Sequence, residues 1–218
     1  MNSEALYLNR IDAGRRLVKP LEKYRGQNAV VLALPRGGVV TAKTIAKELN
    51  LPLGIVVIRK IGHPVNSEYG IAAISENGEI VKNEEEVANV DQNWFQEESR
   101  NQLGEARRRR QKYWGNRKPI NIMGKTAIII DDGLATGLTM IAAIKEVKSQ
   151  DPGKIIVAVP VSPPDTADKI KAMVDEFIAD SIPEPFFEAI GTYYEVFPQV
   201  TDEEVIELLK DDHAKAAS

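Results

Sequence analysis

The chain has 218 residues, 43% hydrophobic and 28% charged, and its 28 Lys+Arg against 32 Asp+Glu leave a net charge of −4, so nothing global points to a nucleic-acid partner. The lack of cysteine excludes disulfides and thiolate metal sites, and two histidines, His63 and His213, are too few for a multi-histidine zinc site. The N-terminus has no basic-then-apolar pattern and no apolar run could span a bilayer, so a cytoplasmic protein without a membrane partner is expected.

In chain order, Ile11, Leu17, Val18 and Leu21 recur at helical spacing and predict an amphipathic helix over residues 9–24. "NAVVLAL" (28–34) reads as a buried strand ending in "PRGG". A helix follows through Thr41, Ile45, Ala46 and Leu49, then "GIVVIRK" as a second buried strand, making a right-handed βαβ unit. "IAAISENGEIVKN" predicts a hairpin turning at Asn77-Gly78. Residues 84–118 are polar and charge-rich and read as a helical insert. Asn83 with Glu86 suggests a capping box there, and Asp91 a second helix cap. "KTAIIIDD" is a third strand, followed by a helix striped with Met140, Ile141, Ile144 and Val147. "KIIVAVPV" is a fourth strand, "PDTADKIKAMV" a helix and "EFIAD" a fifth strand. The tail from Ser181 is rich in proline and aromatics, and Thr201 with Glu204 marks a last capping box. The alternation predicts an α/β fold, a doubly wound and mostly parallel sheet whose ligands sit beyond the carboxyl ends of its strands.

Three predicted strand ends collect unusual residues along one sheet edge: Arg36-Gly37-Gly38, Arg59-Lys60, and Asp131-Asp132 with the loop 133–139. That loop has Gly133 and Gly137 for backbone freedom, Thr136 and Thr139 for hydroxyls, and it opens a helix, whose free N–H groups favour an anion. It lacks the lysine of an ATP-type P-loop. The two acids upstream would repel a phosphate, but suit ribose hydroxyls or a divalent metal. The combination asks for a sugar phosphate.

"IIIDDGLATGLTM" (128–140) resembles the phosphoribosyl-pyrophosphate motif of type I phosphoribosyltransferases, with the Asp-Asp and Ala-Thr-Gly of the adenine enzymes. "LPRGGVV" is similar to that family's pyrophosphate loop and "IRKIG" to its Arg-Lys-x-Gly, in matching order over roughly residues 28–162. The resemblance extends to a poorly characterised branch of the same family. It implies a single domain over 1–218, with a core at 28–180, the helical insert 84–118, and a hood from 1–27 and 181–218. It implies that Asp131, Asp132, Gly133, Ala135, Thr136, Gly137, Leu138 and Thr139 hold phosphoribosyl pyrophosphate. Arg36, Gly37, Gly38, Arg59 and Lys60 would lie at its pyrophosphate end. Mg²⁺ is the implied cofactor, held by Asp131 and Asp132 mostly through ribose hydroxyls or water. "SEYG" resembles a stretch of some adenine enzymes, so Glu68 joins Arg36 and Lys60 as a candidate catalytic group. Ala135 stands where 6-oxopurine enzymes carry an acid, against hypoxanthine or guanine as acceptor. Tyr69, Phe186, Phe187 and Tyr193 are the candidate base contacts.

The implied activity is transfer of the 5-phosphoribosyl group to a nitrogen nucleophile, a nucleobase, with release of pyrophosphate. Expected partners are phosphoribosyl pyrophosphate and a small acceptor, with homodimerisation left open. A regulator that senses the same ligand and a hydrolase reusing the fold are the alternatives; only "RRRR" (107–110) supports the first, and it reads most simply as a solvated helix face. The insert is expected to be a mobile lid.

Overall fold

A computed structural model describes residues 5–187 and 189–210. The outer ends of both terminal segments, and His213 with them, lie outside the described residues.

The first helix, α1 (Arg10–Leu21), is capped by Asn9, whose side-chain oxygen accepts from the N–H groups of Ile11 and Asp12. Then come β1 (Ala29–Ala33), α2 (Gly37–Leu49) and β2 (Leu53–Ile55). A small unit follows: β3 (Ile58–Gly62), β4 (Gly70–Ser75), β5 (Ile80–Lys82), α3 (Glu84–Ala88) and α4 (Gln92–Trp114). The chain returns through β6 (Thr126–Ile130), α5 (Leu138–Lys148), β7 (Lys154–Val161), α6 (Pro164–Lys171) and β8 (Glu176–Ser181), and α7 (Asp202–Lys210) ends the described part.

Five strands form a parallel sheet in the order β2-β1-β6-β7-β8, the α/β architecture expected. Its strands, apart from the half-buried edge strand β8, are buried on both faces because helices cover both. One apolar layer joins Val31, Ala33, Ile128 and Ile156 to α1, α2 and α7; the other joins Val30, Leu32, Ile129 and Val157 to α5 and α6. β1 and β6 are neighbours with Ala33 opposite Ile130, so their carboxyl ends, Leu34–Gly38 and Asp131–Gly133, open side by side.

The structure corrects the sequence reading at four places. "GIVVIRK" is not one strand. The Val56 N–H still bonds Ala33 in the main sheet, but the Val57 carbonyl already accepts from Glu76, and β3 starts a separate antiparallel sheet, β3-β4-β5. Arg59 and Lys60 therefore lie inside β3 on opposite faces, not at the end of a core strand. Asn83 begins α3 without a side-chain cap; its N–H donates to the Ile71 carbonyl, and the Glu86 carboxylate accepts from the Tyr69 hydroxyl at 2.8 Å. The arginine run is not uniformly solvated: Arg109 and Arg110 side chains are only 16% and 18% exposed, against 55% for Arg108. The insert holds α3 and the 23-residue α4, which packs through Phe95, Ala106, Tyr113 and Trp114. The Thr201–Glu204 box forms as expected, with reciprocal bonds of 2.7 and 3.1 Å.

Candidate functional site

A cleft of about 220 Å³ opens beyond β6, lined by Lys60, Glu68, Gly70, Asp131 to Gly137, Thr139, Met140 and Ile190. Its floor is the turn between β6 and α5. Gly137 begins the helix at φ +78°, and none of the N–H groups from Ala135 to Thr139 has a partner among the described residues. These are the unsatisfied donors of a helix start, backed by the positive end of its dipole. The turn is pinned from behind, by Leu134 N–H on the Val161 carbonyl (2.9 Å) and the Thr166 hydroxyl on the Ala135 carbonyl (2.8 Å).

The acid pair forms the centre. Asp131 is half-buried and takes the Asp132 N–H on Oδ1 at 2.8 Å. Burial first, and the Asp132 charge second, raise its carboxyl well above the usual carboxylate range. Asp132 is ion-paired by Oδ2 to Arg10 Nε at 2.7 Å, and its carbonyl accepts the Tyr194 hydroxyl at 2.6 Å. The loop between β1 and α2 lies hard against this pair. A Cβ on Gly37 would stand 1.9 Å from Asp132 Oδ2, and one on Gly38 2.8 Å from Asp131 Oδ1. That close approach is why both are glycine. α2 starts at Gly37 with no side-chain cap, so its first N–H groups also remain open beside the acids.

Of the expected cations, Lys60 reaches the cleft, its Nζ donating to the Glu68 carbonyl (2.8 Å) and carboxylate (3.2 Å). Glu68 itself is 91% exposed. Arg36 and Arg59 do not line the cleft. Arg36 stands 3.5 Å from Asp202 of α7, and Arg59 Nε donates to Gln102 of α4 at 2.9 Å. Asp202 also accepts from Lys112 (2.8 Å) and the Tyr113 hydroxyl (2.5 Å), contacts that hold its carboxyl well below the usual range. None of the four candidate base contacts lines the cleft either. Tyr193 is buried with Phe186 against it, Phe187 N–H donates to the Tyr193 hydroxyl, and Tyr69 is tied to Glu86. The tail contributes Ile190 instead, which closes over Gly133.

Sequence reasoning missed Arg10, Tyr194 and Ile190, which reach the site from the terminal segments, and Asp202, which pairs with Arg36 outside the cleft. Nothing local in the sequence marks them. Among the described residues no group of three or more His, Asp or Glu could hold a metal by itself, and no helix is long and apolar enough to cross a membrane.

Comparison with known proteins gives a consistent picture. Residues 4–193 match the family model of the phosphoribosyl transferase domain. A protein of Mycobacterium tuberculosis named as a phosphoribosyl transferase is 38% identical over 210 residues, 95% of this chain and 47% of that protein. The chain thus spans about half the length of the curated relatives it matches. A uracil phosphoribosyltransferase of Mycoplasma genitalium is 42% identical over 64 residues, 28% of this chain and 31% of that one. The crystal structure of TT1426 from Thermus thermophilus superposes with a TM-score of 0.77 at 37% identity, covering 93% of this chain and 97% of the other.

Proposed function

The chain belongs to the phosphoribosyl transferase family, and we propose that its cleft binds phosphoribosyl pyrophosphate and transfers the 5-phosphoribosyl group to a nitrogen of a nucleobase. The observation that carries this reading is the meeting of three features at one opening. Free N–H groups at the start of α5, the pair Asp131-Asp132, and Lys60 line one cleft, and the start of α2 lies against the acids. The 5′-phosphate takes the α5 turn, because anions bind unsatisfied helix N–H groups. The ribose hydroxyls donate to the acids. Pyrophosphate lies toward Lys60 and the Gly37-Gly38 amides.

In the reaction the bond from C1 to the pyrophosphate oxygen breaks, and its electron pair leaves with pyrophosphate. The acceptor's nitrogen lone pair forms the new bond from the opposite face and inverts C1. Lys60 and the backbone amides stabilise the charge that grows on the leaving group. Arg36 joins them by exchanging the Asp202 carboxylate for a phosphate oxygen. Glu68, exposed at the rim, handles the acceptor's proton. Ile190 gives the acceptor an apolar contact, and the lack of an acid at Ala135 supports a base other than a 6-oxopurine.

Mg²⁺ suits this site: two carboxylates and no third ligand fit an ion that keeps its waters and binds substrate phosphates. Asp131 and Asp132 would hold it through water or ribose hydroxyls, and bound there it would neutralise leaving-group charge.

The test is pyrophosphate release from phosphoribosyl pyrophosphate and Mg²⁺ across a panel of nucleobases. Release that depends on one base, adenine being the expected one, supports transfer. Equal release without a base would make the protein a hydrolase, and no release with any base would remove the catalytic reading.

A further inference from the structure

Arg10 is hard to explain by folding alone. It is the first residue of α1, where the positive end of the helix dipole disfavours a cation. It is also buried, its side chain only 9% exposed, and burying a charge is costly unless it is paired. Its guanidinium is held on three sides. Nε donates to Asp132 Oδ2 at 2.7 Å, Nη1 to the Pro198 carbonyl at 2.8 Å, and the Phe197 ring lies 3.6 Å below. Phe197 in turn stacks on Tyr194, whose hydroxyl holds the Asp132 carbonyl. A Cβ on Gly37 would stand 3.0 Å from Arg10 Nε as well as 1.9 Å from Asp132 Oδ2, so the glycine of the α2 loop makes room for this ion pair.

Resting on the reading of the cleft given above, we propose that Arg10 is a positioning residue for the ribose-binding carboxylate. It engages Oδ2 of Asp132 and leaves Oδ1 for a ribose hydroxyl. It also offsets the charge of one of two adjacent acids. Otherwise they would repel a ligand carrying phosphates at both ends, and like charges a few ångströms apart in a partly buried site interact strongly. Through Pro198, Phe197 and Tyr194 the same guanidinium ties the tail to the cleft, so the order of the terminal segments is coupled to ribose binding.

The inference is tested by calorimetric titration of phosphoribosyl pyrophosphate with Mg²⁺ into the wild type, Arg10→Gln, Arg10→Lys, Asp132→Asn and the double variant Arg10→Gln/Asp132→Asn. Arg10→Gln should weaken binding about tenfold or more, with Arg10→Lys between it and the wild type, because lysine keeps the charge but not the fork. In the Asp132→Asn background, Arg10→Gln should change affinity by less than about twofold, since residues acting through one contact are non-additive. Binding stoichiometry separates this role from a purely structural one. A variant that only fails to fold lowers the number of sites and leaves the dissociation constant of the remainder unchanged. The double variant removes both charges together and keeps the comparison open where the single one unfolds. An equal loss of affinity from Arg10→Gln in both backgrounds, or none in a folded Arg10→Gln, would overturn the role of Arg10. A wild type that does not bind the ligand would overturn the cleft assignment itself, and the inference with it.

Discussion

At Gly137 the backbone has φ +78°, and an added Cβ would meet Thr166 Cγ2 at 2.7 Å. A side chain here would collide with the residue bracing the turn. Gly137→Val therefore strains the backbone and displaces the Thr166 bond to Ala135. About 1–3 kcal/mol of stability should go with it, and ribose 5-phosphate binding should be lost in calorimetry even where the variant remains folded. Unaltered binding would mean that the turn is not the phosphate site. Glu76 makes a separate, pH-dependent prediction. Its Oε1 lies 3.5 Å from Arg110, while Oε2 is buried without a partner. Burial pushes its carboxyl from 4.5 up to about 7, against the opposing Arg110 charge. The folded chain thus holds this proton more tightly than the unfolded chain. The stabilisation is whole below the unfolded value and is lost as pH rises through about 7. Urea melts should show stability falling over that window, and Glu76→Gln should flatten the fall and be the more stable form above it, by about 3 kcal/mol at most. A wild-type profile flat across the window would contradict this.

At the scale of elements, α4 is the part whose behaviour the fold bears on most. Its polar composition suggests a lid, yet Phe95, Ala106, Tyr113 and Trp114 are buried, and Lys112 and Tyr113 bond Asp202 of α7. Protection follows buried contacts more than composition. Amides of residues 106–114 should therefore exchange nearly as slowly as those of β6 without ligand. Fast exchange there that slows on adding phosphoribosyl pyrophosphate would restore the lid. The same elements show what the sequence reveals. The β1 and β6 runs, the turn after β6 and the hairpin at Gly78 carry local signals, so they were legible. The break between β2 and β3 was not, because an unbroken β-branched run says nothing about where the pairing partner changes. Two capping boxes read alike, but only Thr201–Glu204 forms, since in the other the Asn83 N–H pairs with the Ile71 carbonyl and Glu86 with Tyr69. Arg10 was illegible for a related reason: its partner lies 122 residues away, and a lone arginine at a helix start looks like a surface one.

At the scale of the molecule, the parallel sheet brings the start of α5 and one acid pair to a single opening, with the start of α2 packed against the acids, while the antiparallel unit adds Lys60 to its lining. The terminal segments meet behind the acids, with Tyr7 N–H on the Tyr193 carbonyl and Val196 N–H on the Leu8 carbonyl. The central claim is that this opening is a phosphoribosyl site, and a crystal soaked with ribose 5-phosphate tests it most directly. Phosphate density is expected against the N–H groups of Ala135 to Thr139, with the ribose hydroxyls toward Asp131 and Asp132. Phosphate bound elsewhere, with that turn empty, would contradict it.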